Sequence, residues 1–125
     1  MSHTATNRFA HGRLDAYHVA LELYSGAESL AADLPRGYAD LKDQVRRAAA
    51  ATVRHVAEGA NRIHPRDKAA RFMMARGEVG EVDTVLELAA IAGLGNPARL
   101  ARLRRLADRV GAMLFGLIRR EQARA

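Results

Sequence analysis

Few residues in this sequence stand at spacings that could support catalysis. His55-x-x-Glu58 pairs an imidazole with a carboxylate one helical turn away. Carboxylate bundles that hold two metals use the opposite order: Glu-x-x-His on two helices, with one more Glu from each of the other two. No Glu-x-x-His occurs here, and the His-x-x-Glu spacing occurs once. Glu78 and Glu81 can share a helix face, but they have no histidine companion. Ser2, Ser25 and Ser29 lack the strand–turn–helix context that activates a serine, and no glycine-rich phosphate loop follows a strand. The absence of cysteine removes thiolate nucleophiles, thiolate metal sites and disulfides. The expectation is a protein without catalytic residues, metal or cofactor, in which His55 is structural.

The arginines are more informative. Residues 1–96 carry 12 basic and 12 acidic side chains, so the formal charge of +6 arises wholly in residues 97–125. On a helix there, Arg102, Arg105, Arg109 and Arg120 fall within a narrow arc beside the apolar seam, with Arg119 near. Guanidinium forks suit phosphate oxygens, and such a stripe can track a nucleic-acid backbone with steep salt dependence. Arg102, Arg105 and Arg109 are the first candidates for phosphate contact. Arg46 and Arg47 come second, because either could instead fix helix register by reaching a carboxylate such as Glu81. With aromatics at 5% and no Trp, stacking on bases has little to work with, so backbone binding is expected over sequence reading. The bland alternative is a solvated polar face that happens to be basic.

Four helical segments can position these side chains. The first runs from about residue 14 to 33, with Leu14, Tyr17, Leu21, Tyr24 and Ala31 at helical spacing, and stops at Leu34-Pro35-Arg36-Gly37. The second runs from about 38 to 63. Its stripe is Leu41, Val45, Ala48, Thr52, Val56, Gly59 and Ile63, and Pro65 follows as a helix-opening residue. The third, about 66 to 92, carries Phe72, Ala75, Val79, Val82, Leu86, Ala89 and Gly93 at alternating spacings of three and four. Gly93-Leu94-Gly95-Asn96-Pro97 ends it. In the fourth, about 97 to 122, the seam is Leu103, Leu106, Val110, Met113 and Leu117, flanked by Leu100, Leu114 and Ile118. Nothing alternates with period two, so the expected class is all-α, an antiparallel up-down-up-down four-helix bundle.

A chain of 125 residues that is 49% hydrophobic has material for one core. Residues 13–125 are read as the bundle, and residues 1–12 as a frayed N-terminus. No apolar run reaches the ~20 residues of a membrane span, and the polar N-terminus lacks a secretory pattern. A cytoplasmic location follows as the default. Beside the stripe of the second helix lies another small, apolar face, Ala49, Val53, Ala57 and Ala60. It suits close packing inside the bundle or contact with a second subunit, and motivates the expectation of a homo-oligomer.

Gln44-Val45-Arg46-Arg47-Ala48-Ala49, then Val56-Ala57-Glu58-Gly59 and Arg62, resembles the signature of the bacterial four helix bundle protein family, also called the 23S rRNA intervening-sequence protein family. Arg71-Phe72, Ala75-Arg76-Gly77 and Glu81 resemble its second block, and residues 14–24 its opening helix. The resemblance spans roughly residues 14–118. It departs from the family pattern at Ala51, Thr52, Val53 and His55, and at Glu78. The resemblance implies a four-helix bundle that assembles as a homopentamer. The family is related to the accessory variability determinant of diversity-generating retroelements, which implies binding to nucleic acid and to a reverse transcriptase. The leading expectation is therefore a non-enzymatic, self-assembling accessory protein that binds RNA, DNA or an acidic protein partner. The rival is a helical interaction module whose charge serves solubility.

Overall fold

The computed structural model describes residues 9–125. A short 3-10 helix, Ala10–Arg13, leads into α1 (Asp15–Asp33), α2 (Ala39–Asn61), α3 (Pro65–Ile91) and α4 (Pro97–Arg124). No strand occurs among the described residues. Each helix packs on the two beside it in the cycle α1–α2–α3–α4, and neither diagonal pair packs together. This is the expected antiparallel four-helix bundle.

The expected punctuation sets the boundaries. Leu94 N–H donates to Ala89 O at 2.9 Å, closing a Schellman turn across Gly93, whose φ of +71° favours glycine. Asn96 then caps α4, its Oδ1 accepting from Ala98 N–H at 2.8 Å and Arg99 N–H at 3.2 Å. Pro97 occupies the first turn, where no N–H is required.

The seam of α3 is buried as expected from Phe72 to Ala89, with Gly93 in the turn beyond. On α2, Val45, Ala48, Thr52, Val56 and Gly59 are buried. Thr52 is satisfied there by donating to Ala48 O at 2.8 Å. Leu41 is half-buried, and Ile63 lies past the helix end, exposed. On α4, Leu100, Leu103, Leu106, Val110, Leu114 and Ile118 face inward, while Met113 and Leu117 are half-buried at the edge.

The stripe expected on α1 needs correction. Ala16, Val19, Ala20, Leu23, Ala27, Leu30 and Ala31 form the buried face. Leu14, Tyr17 and Tyr24 are half-buried, and Leu21 is exposed. The tyrosines mislead because their rings contribute apolar area while their hydroxyls keep them at the water boundary. Alanines take four of these seven inner positions. At Gly26 a side chain would collide with Leu103.

The small face of α2 is largely used within the chain: Ala49 and Ala60 are buried, and Val53 and Ala57 half-buried. The frayed segment expected at residues 1–12 falls partly outside the described residues, at 1–8. Residues 9–12 are docked: Ala10 N–H donates to Asn61 Oδ1 at 3.1 Å, and His18 Nε2 donates to Gly12 O at 2.8 Å.

Candidate nucleic-acid interface

The arginines of α4 divide by the direction each faces. Toward α1, Arg99 Nη2 lies 2.7 Å from Asp33 Oδ2, and Arg102 Nη2 lies 3.1 Å from Glu22 Oε2. Toward α3, Arg104 donates twice to Asp83, at 2.9 and 3.3 Å, with Glu87 at 3.9 Å. The hydrogen bond to Asp83, then the carboxylate's charge, raise the Arg104 pKa above the ordinary arginine value. Arg105 and Arg109, one turn apart, point outward. They are exposed and have no ion pair among the described residues.

Arg102, Arg105 and Arg109 thus lie on one helix face as expected, but Arg102 is shared with Glu22. Arg46 and Arg47 lie on α2, away from them. Arg46 reaches Glu28 of α1 at 3.2 Å, and Arg47 reaches Asp43 of its own helix at 3.7 Å. The contact considered with Glu81 does not form, because Arg46 projects toward α1 and Arg47 keeps to an intrahelical pair. Arg102, Arg46 and Arg47 are each more than half exposed (54%, 57% and 59%), so water screens these pairs. Such pairs contribute about 0–1 kcal/mol, and a phosphate can compete for the guanidinium.

Sequence spacing alone gave no sign of a second basic surface. Arg13, the C-terminal turns of α4 and the α2–α3 turn share one end of the bundle. Arg13 and Arg120 line the same hollow there. Arg62 and Arg66 are exposed at this end, without an ion pair among the described residues. Its counter-charge is partly withdrawn from solvent: Glu121 is fully buried, with Arg120 Nη2 and Arg124 Nη1 each at 3.2 Å. Lys68 Nζ donates to Gly59 O at 3.2 Å and Ala60 O at 2.8 Å, capping α2. Burial lowers the Lys68 pKa, against the opposing pull of Glu121. The spacing had held a sign of Glu121, since it stands three residues after Ile118 and seven after Leu114, on the buried line.

His55 Nδ1 lies 2.8 Å from Glu58 Oε1, which Arg71 Nη1 approaches at 3.7 Å. Among the described residues, no group of three or more His, Asp or Glu side chains could hold a metal ion. Among the described residues, no helix is long and apolar enough to cross a membrane.

A family model described as 23S rRNA-intervening sequence protein matches residues 12–116. No curated protein matches. Among solved structures, a protein of unknown function from the S23 ribosomal protein family of Bacteroides thetaiotaomicron superimposes with a TM-score of 0.78 at 15% identity, over 82% of this chain and 97% of that one. At that identity the likeness concerns the fold.

Proposed function

The chain belongs to the 23S rRNA-intervening sequence protein family, and on that premise we propose that it is a non-enzymatic, self-assembling accessory protein of the cytoplasm whose Arg-rich surface binds the phosphate backbone of RNA or DNA. The observation that carries this reading is the pair Arg105 and Arg109, exposed, one turn apart and without an ion pair among the described residues. Arg102 adds a third guanidinium when phosphate displaces Glu22, and Arg46 and Arg47 offer a separate basic patch on α2. Counter-ion release then drives binding, with little dependence on sequence. An acidic protein surface, that of a reverse transcriptase among them, can engage the same guanidiniums and serve as a second partner.

The rival reading, a helical interaction module with no nucleic-acid role, draws support from the ion pairs that occupy Arg46, Arg47 and Arg102. Filter binding of generic RNA and duplex DNA at two salt concentrations separates the two. The proposal expects binding at low salt that weakens steeply as salt rises; no binding at low salt leaves the module.

A further inference from the structure

Phe72 is buried in the core, whereas Phe115 on α4 is 48% exposed. Its surroundings distinguish it from a stray apolar side chain. The guanidinium carbons of Arg76, on α3, and Arg119, one turn along α4, lie 5.4 and 5.7 Å from the ring centroid. Both arginines are exposed, and neither has an ion pair among the described residues. At that range they do not seal the ring, since stacked carbons approach to about 3.5–4.0 Å. Ring, arginines and Met73 line one open hollow of about 850 Å³, within the ~300–1,000 Å³ usual for sites that take small organic groups.

The hollow lies at one end of the basic face of α4. Arg105, Arg109, Ala112, Gly116 and Arg119 recur at spacings of 4, 3, 4 and 3, and all are exposed. The line is roughly 21 Å long at ~1.5 Å of rise per residue. Two arginines stand at one end, Arg119 with Phe115 at the other, and only small side chains between them. Neither acidic residue of α4 stands on it: Glu121 is buried, and Asp108 turns toward α3, where it lines a hollow with Asp83.

We infer that Phe115 is a stacking platform for an unpaired base of single-stranded RNA or DNA, with Arg76 and Arg119 on the phosphates beside that base and Arg105 and Arg109 on the backbone beyond. The inference rests on the nucleic-acid reading of Arg105 and Arg109 and adds a base contact to it. A positively charged track that ends in an exposed aromatic ring matches both parts of a single strand: the guanidiniums take phosphates, and the ring takes a base. A duplex offers only the first, because its base faces are covered by their neighbours and turning one out breaks stacking and pairing. One ring does not read sequence, since every base has a π-face.

Fluorescence anisotropy on the full chain compares two labelled strands of equal length, oligo-dT and its abasic counterpart. The abasic strand keeps every phosphate, so the comparison isolates the base. Oligo-dT binds about tenfold tighter than the abasic strand. Phe115→Ala removes that advantage and keeps the parent's salt slope and thermal melt, and Phe115→Trp restores it. Arg76→Gln with Arg119→Gln weakens both strands alike and flattens the slope by roughly 1.4, at about 0.7 per phosphate on a single strand. Equal binding of the two strands by the parent overturns the base site and leaves the phosphate reading standing, whereas no binding of either removes both. A Phe115→Ala variant that keeps the oligo-dT advantage, or that loses both strands alike, also overturns the inference.

Discussion

A β-carbon on Gly59 would stand 2.6 Å from Cε1 of Phe72, so the ring on α3 rests on the bare backbone of α2. The residues beside them are joined as well, Glu58 Oε1 lying 3.7 Å from Arg71 Nη1. The two blocks on which the family resemblance rests therefore meet in space. At these residues they build a close helix crossing, held by one glycine and one ion pair.

Gly59→Ala tests that crossing. Alanine gains about 1 kcal/mol of helix propensity, but overpacking typically costs about 1–3 kcal/mol. The collision is with a buried ring that has little room to retreat, so a net loss of about 1–2 kcal/mol is expected. Gly116→Ala on α4 is the control, because no atom lies within 4 Å of its added carbon. It should gain about 0.5–1 kcal/mol. Urea midpoints at equal slope measure both.

Glu121 holds together the end of the bundle where α4 finishes. With the carboxylate removed, Lys68 and the two neighbouring arginines face one another uncompensated. Breaking a buried charge cluster costs about 3–5 kcal/mol, and the solvent exposure of the arginines puts Glu121→Ala at about 3 kcal/mol, at the lower end. Glu121→Gln keeps the shape and should lose less. Equal losses in the two variants, by calorimetry, would show that charge matters there and shape does not; an unchanged stability in Glu121→Gln would show the reverse.

How far these features could be read in advance depended on whether spacing or distance carried them. The seam of α3 was legible because Phe72 to Ala89 repeats without interruption and every member is apolar. On α1 the same rule chose a face turned away from the buried one: Tyr17 and Tyr24 carry large rings yet stay half-buried, while Ala31 alone of the expected stripe is buried, and Gly26, against Leu103 of α4, reads only as a weak helix former. Glu121 stood at a legible position, but its charge argued against burial until Lys68, Arg120 and Arg124 were seen around it. The guanidinium of Arg102 looked as free as those of Arg105 and Arg109, since its partner Glu22 lies 80 residues away.

Lys68 should release its proton below the lysine value of 10.5, because burial disfavours the ammonium. The linkage sign follows. In the pH window just below 10.5 the folded chain has lost this proton and the unfolded chain still holds it, so the Lys68 contribution to stability rises with pH there. The chain has two lysines, and an NMR titration of the side-chain carbons, assigned with Lys42→Arg, reads the value directly. A Lys68 midpoint at or above the free-lysine value would contradict the account.

Asn61 straps the N-terminal segment to α2. Its Oδ1 accepts from Ala10 N–H, while its amide nitrogen donates to Ala57 O at 2.9 Å and to His11 Nδ1 at 2.7 Å. Because Ala10 N–H occupies the oxygen, the amide nitrogen faces His11, whose Nδ1 acts as acceptor. Asn61→Ala should cost about 1 kcal/mol and speed amide exchange at Gly12 and Leu14, whose N–H groups bond within the segment. Unchanged protection at both amides would show that the segment is held by other contacts.

The claim that Arg105 and Arg109 face a nucleic-acid backbone is tested most directly by binding constants for RNA and duplex DNA across a salt series. The account predicts a linear fall of log K with log salt, at roughly −0.9 per phosphate neutralised on the duplex. It also predicts that Arg105→Gln with Arg109→Gln flattens the slope by roughly 2 without sequence preference. No salt-sensitive binding by the parent at low salt, or a double variant with the parent's slope, would contradict it.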